Sequence, residues 1–122
     1  MLSCLTFLTC ALGFGTMGLI AFVLPTRVTD QFGVDTLTPD GRNEVRAVYG
    51  GFGLAMAAAL ATATFVDTLR PGVGFAVAAA LFGMAIGRLI SASIDGSFGR
   101  FPRLYFVVEF VAASAVAFAT FR

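Results

Sequence analysis

Histidine and lysine are both missing from this chain, and acidic and basic residues together make up only 12% of it. The first absence excludes histidine-ligated haem and pigments, histidine-based zinc sites and serine–histidine triads. The second leaves about half the usual charged share of roughly 25%, too little polar surface to coat a globule in water. Cysteine is scarce as well. Cys4 and Cys10 are the only thiols. On a helix, their spacing sets them about 9 Å apart along the axis and on different faces, too far for a disulfide. They read as buried structural thiols. All the basic charge is arginine, eight residues against seven acids for a net +1. These arginines are interleaved with acids and form no dense basic cluster, so nucleic acid is not an expected partner.

Apolar residue is what the chain has in abundance, 58% of it. It falls into four runs, at about 2–24, 43–66, 73–91 and 102–121, each near the ~20 residues needed to cross a hydrocarbon core. The first run has no basic flank and no small-x-small cleavage site before Pro25, so it reads as a retained span and not a signal peptide. Backbone groups in lipid must be satisfied within each span, which makes the spans helices. The expected fold is all-α: a single four-transmembrane-helix antiparallel bundle over residues 1–122. The first loop is the long one. Its segment Pro25–Phe32 is expected to form a short interfacial helix with Val28 and Phe32 against the membrane, and Thr38, just before Pro39, is expected to cap a helix. The second loop, Asp67–Gly72, carries Arg70-Pro71-Gly72 and makes a tight hairpin of spans two and three.

Small residues recur at steps of three or four on those two spans. Ala47, Gly51, Ala55 and Ala59 share one side of span two, and Ala76, Ala80, Gly83 and Gly87 share one side of span three. Such stripes let membrane helices approach closely. Gly51, Ala55, Gly83 and Gly87 are accordingly expected at a span-two to span-three seam. Gly50, Gly51 and Gly53 lack the context of a phosphate loop and read as packing glycines.

The informative charges are those inside the apolar runs. Glu109 is the sole charge between Leu104 and Phe121, and Arg88 lies within Val73–Ile90. A bare carboxylate in hydrocarbon costs several kcal/mol, so Glu109 is paired, protonated or functional. Glu44 and Arg46 open span two. Antiparallel spans place all four charges in the leaflet beneath loops one and three, with Tyr105 one turn from Glu109 on the same helix side. The expected pairing is Arg46 with Glu109 and Glu44 with Arg88, Tyr105 donating to Glu109. Arg42, Arg46 and Arg88 at one interface also suit an anionic headgroup. Loops one and three and their flanks hold six of the eight arginines, which by the positive-inside rule puts those loops in the cytoplasm and both ends of the chain in the periplasm.

The stretch Gly41-Arg42-Asn43-Glu44-Val45-Arg46-Ala47-Val48-Tyr49-Gly50-Gly51 resembles the most recognisable segment of a family of small bacterial four-helix membrane proteins, known only as a domain of unknown function. Phe32-Gly33-Val34-Asp35, Gly87-Arg88 and Glu109 fit the same pattern. The layout is also similar, more distantly, to the DoxX-like four-helix group. The resemblance implies a fold and a bacterial inner-membrane location. It implies no cofactor, no reaction and no catalytic residue.

Three functional expectations follow. The first is a non-catalytic accessory, assembly or stabilising subunit of a membrane complex, or a homo-oligomer. Its motives are small size, minimal loops and the small-residue stripes. The second is a small proton-coupled transporter titrating at Glu109. The third is a lipid- or quinone-binding protein using the interfacial arginines. No serine or cysteine sits in an activating context, so an enzyme is the least expected outcome.

Overall fold

Where no water is available to the backbone, each apolar run closes its own hydrogen bonds. The computed structural model describes residues 1–122 and contains helices and turns but no strand. Helix α1 spans Leu2–Val23 and α2 spans Pro25–Asp30. Helix α3 spans Pro39–Val45 and runs through a wide π-helical turn, Arg46–Gly51, into α4, Phe52–Phe65. A single 3-10 turn, Asp67–Leu69, leads into α5, Arg70–Asp95, and α6 spans Arg100–Phe121. Four continuous helical stretches are each long and apolar enough to cross a membrane: Leu2–Val23, Pro39–Phe65, Asp67–Asp95 and Arg100–Phe121.

The breaks between helices follow local chemistry. Leu24 leaves the helical region just before Pro25, which occupies the first turn of α2, where a missing N–H is no loss. Thr38 Oγ1 accepts from Gly41 N–H at 3.1 Å and so caps α3. Pro71 likewise sits in the first turn of α5, so that helix begins at Arg70 and absorbs the second half of the expected loop, Arg70-Pro71-Gly72. At its far end Gly96 takes φ +61°, the left-handed cap a residue without Cβ adopts cheaply. Loop three shrinks to Gly96–Gly99.

Packing departs from the expected seam. Helix α1 packs along α4, and α5 along α6, while α4 and α5 touch far less. Gly83 and Gly87 have nothing within 4 Å of where a Cβ would stand, Ala55 is exposed, and Gly51 lies closest to Arg46 O of its own helix. The glycines that matter lie elsewhere. A Cβ on Gly18 would fall 2.9 Å from Gly50 O and from Leu54 N, and one on Gly53 would fall 3.0 Å from Phe14 O. Helices α1 and α4 therefore meet backbone to backbone. Gly50 lies under the Phe22 ring, and Gly74 abuts Thr120 to bring α5 against α6. Small residues cover more than one face of α4, so a stripe alone does not select the buried one.

All four long helices share one apolar core, centred on Phe7, Leu60, Val77 and Val116, each at least 98% buried. This core occupies the half of the bundle nearest the α4–α5 turn. A smaller cluster of Ala21, Val28 and Val45 holds α2 beneath α1 and α3. Val28 thus faces protein, whereas Phe32 is 46% exposed. Only 21 of 122 residues are buried, so most large apolar side chains face outward, as a lipid solvent permits. Overpacking at backbone contacts costs about 1–3 kcal/mol, whereas a change in open space stays within about 0.5. Gly18→Val is thus expected to destabilise the protein by that larger amount in an SDS titration, and Gly83→Val to leave it unchanged.

Candidate functional site

Arg88 stands two turns before the end of α5, and Glu109 a little over two turns into α6. The short Gly96–Gly99 connection makes these helices antiparallel neighbours and brings the two residues level. Arg88 Nε donates to Glu109 Oε2 at 2.7 Å and Nη2 to Oε1 at 2.6 Å. This is the two-pronged geometry that a guanidinium offers a carboxylate. The Glu109 side chain is 7% exposed and that of Arg88 is 24% exposed. The acid of α6 therefore pairs with α5, and the expected partner Arg46 is elsewhere.

Tyr105 lies one turn before Glu109, and the Arg88 guanidinium sits over its ring, 5.3 Å from the centroid. Its hydroxyl turns away from Glu109 and donates to Gln31 Oε1. Gln31 Nε2 in turn donates to Arg27 O at 3.0 Å, closing the end of α2. Phe32 packs against Tyr105 with centroids 6.3 Å apart. Glu109, Arg88, Tyr105 and Gln31 thus form one connected path from α6 to the first loop. Gln31 was missed by sequence reasoning. The available signal was a lone amide beside Phe32 on the short helix, too slight to single it out.

The other expected members of this site do different work. Arg46 Nε donates to Phe22 O at 3.0 Å, satisfying one of the carbonyls that the end of α1 leaves open. Arg42 Nη1 donates to Leu37 O at 2.8 Å. Glu44 is exposed and makes no ion pair or side-chain hydrogen bond. Glu44 and Arg46 are two residues apart on a helix and point to different sides, so both cannot face one cluster. The π-helical turn adds to this: it lays Gly50 under Phe22 and directs Arg46 to the end of α1.

The same capping logic operates at the opposite end. Arg70 Nη2 donates to Thr64 O at 3.0 Å and pairs with Asp67 at 2.7 Å, closing the carbonyl end of α4. Intraspan hydroxyls turn back on their own helices, as Thr62 does on Ala58 O and Ser114 on Phe110 O. No buried side-chain nitrogen or oxygen lacks a partner. Arg88 Nη1 is the one edge of the central pair without a protein partner.

A family model described as "Domain of unknown function (DUF4345)" matches residues 4–120. The chain belongs to that family. No curated protein and no solved structure matches it. The DUF4345 match runs from the first turn of α1 to the last turn of α6, so Arg88, Tyr105, Glu109 and Gln31 all fall within it.

A buried pair is neutral overall, and removing one partner strands a charge. Arg88→Ala is expected to destabilise this DUF4345 protein by about 3–5 kcal/mol in an SDS or urea titration. Replacing both residues with apolar ones, Arg88→Met with Glu109→Leu, recovers most of that loss. An Arg88→Ala variant within about 0.5 kcal/mol of the parent would contradict a load on this pair.

Proposed function

We propose that this DUF4345 protein is a small, non-catalytic subunit of the bacterial cytoplasmic membrane, which stabilises or assembles a larger membrane complex or associates with copies of itself. What supports this reading is the state of Glu109. Both carboxylate oxygens accept from one guanidinium, so the deepest acid is engaged as a link between α5 and α6. A proton-coupled carrier needs a carboxylate that exchanges partners during its cycle. A bidentate arginine opposes that exchange.

The outward face fits the same role. Ala76, Ala80, Gly83 and Gly87 are exposed on α5 and leave room for a close neighbour within the membrane. Purified in mild detergent, the protein is expected to migrate as an assembly larger than one 12.7-kDa chain. A strictly monomeric protein without a co-purifying partner contradicts the proposal. Reconstituted Glu109→Gln protein provides a second check: proton-coupled uptake by the parent that this variant loses would replace the subunit reading with a carrier.

A second reading is favoured by one observation, the open Nη1 edge of Arg88 in the leaflet of loops one and three. An anionic lipid headgroup would satisfy it. Native mass spectrometry tests this reading, which expects lipid retained by the parent and lost in Arg88→Ala.

We also propose that loops one and three face the cytoplasm, on the strength of the arginines they carry. Ser97 in loop three is exposed. A Ser97→Cys variant lacking Cys4 and Cys10 is expected to resist a membrane-impermeant maleimide in intact cells and to react after permeabilisation. Labelling of intact cells would reverse the orientation.

A further inference from the structure

The two halves of the bundle are joined in different ways. In the half near the α4–α5 turn, all four long helices contribute to one apolar core, and Arg70 ties the start of α5 to the end of α4. In the opposite half, α5 buries nothing beyond Ala85, and Glu109 is the only residue α6 buries before Ala113. Neither helix makes an extended contact with α3 or the Arg46–Gly51 turn. The sole side-chain hydrogen bond between the α5–α6 pair and the rest of the protein in this half is that from Tyr105 to Gln31.

Gln31 lies on firm ground. The α2 segment that carries it is anchored by buried Pro25 and by Val28 against Ala21 and Val45, and it ends at Gly33 with φ +81°. The Arg88–Glu109 pair lies wholly within the α5–α6 pair, so a movement of those two helices away from α2 breaks no ion pair.

We propose that Gln31 and Tyr105 form a latch that holds the α5–α6 pair closed against the α1–α4 pair, with the shared core of the other half as its pivot. Opening separates Tyr105 from Gln31 and Phe32 and widens the space beside the Nη1 edge of Arg88 toward the side of loops one and three. The bolt is a single neutral hydrogen bond, which shifts an open–closed ratio by about 2- to 10-fold. That is enough to hold a closed state and weak enough to release it.

Spin labels test this in nanodiscs on the full chain, with Cys4 and Cys10 replaced by alanine and labels at Asn43→Cys and Ser97→Cys, both exposed positions on opposite sides of the latch. The parent is expected to give one dominant distance. Tyr105→Phe keeps the ring and removes only the hydroxyl, and Gln31→Ala removes the acceptor. Each is expected to add a longer-distance population, raising its share by about 2- to 10-fold. Gln31→Glu keeps an acceptor oxygen and is expected to restore the parent distribution. Distance distributions identical in the parent, Tyr105→Phe and Gln31→Ala would overturn the latch.

Discussion

The ion pair between Arg88 and Glu109 is the constraint that the loop-three half of the molecule depends on. Glu109 is nearly closed off from its surroundings and is the only charged residue on α6 after Arg103. In such a medium an unpaired carboxylate is among the most expensive groups a protein can hold. One guanidinium in two-pronged contact meets that demand and fixes how far α5 can slide along α6. Sliding by one turn would separate the charges by about 5.4 Å. The apolar faces of the two helices tolerate such a slip far more readily, because lipid and protein interior are equally apolar. The pair thus acts with the short Gly96–Gly99 connection and the Gly74–Thr120 contact to set the register of α5 against α6.

Arginine performs a second task at the helix ends. Arg46 closes the end of α1 at Phe22 O, Arg70 closes the end of α4 at Thr64 O, and Arg42 reaches Leu37 O. Carbonyls at a helix end near hydrocarbon have few water partners, and a planar fork with several donors serves them without losing its charge. The lack of lysine fits this use. A guanidinium can serve several acceptors at once, as Arg70 does: Nε donates to Ala63 O at 3.4 Å while Nη2 donates to Thr64 O and pairs with Asp67.

Much of the architecture was legible before any coordinates. Four apolar runs of spanning length, punctuated by Pro25, Pro39 and Pro71, dictate four helices in lipid, and they are present. A cationic partner for Glu109 followed from its isolation among apolar residues. Which arginine supplies it did not follow. Arg46 and Arg88 both begin or end spans in the same leaflet, and choosing between them requires knowing that α6 packs along α5 and that Arg46 is drawn to the end of α1. The seam was misplaced for a related reason. Small residues cover several faces of α4, and only the close approach of Phe14, Gly18 and Phe22 singles out Gly50 and Gly53 over Gly51 and Ala55. The π-helical turn has no signature in the pattern of apolar residues, yet it shapes how Arg46 and Gly50 meet α1.

The central claim is that Arg88 and Glu109 are in direct contact within the membrane, and magic-angle-spinning NMR reads that contact without altering the protein. In lipid bilayers, with arginine labelled by nitrogen-15 and glutamate by carbon-13, the Arg88 side-chain nitrogens are expected to show strong dipolar recoupling to Glu109 Cδ, matching nitrogen–oxygen separations of 2.6 and 2.7 Å. Strong recoupling of Glu109 Cδ to a different arginine, or to none, would contradict the account.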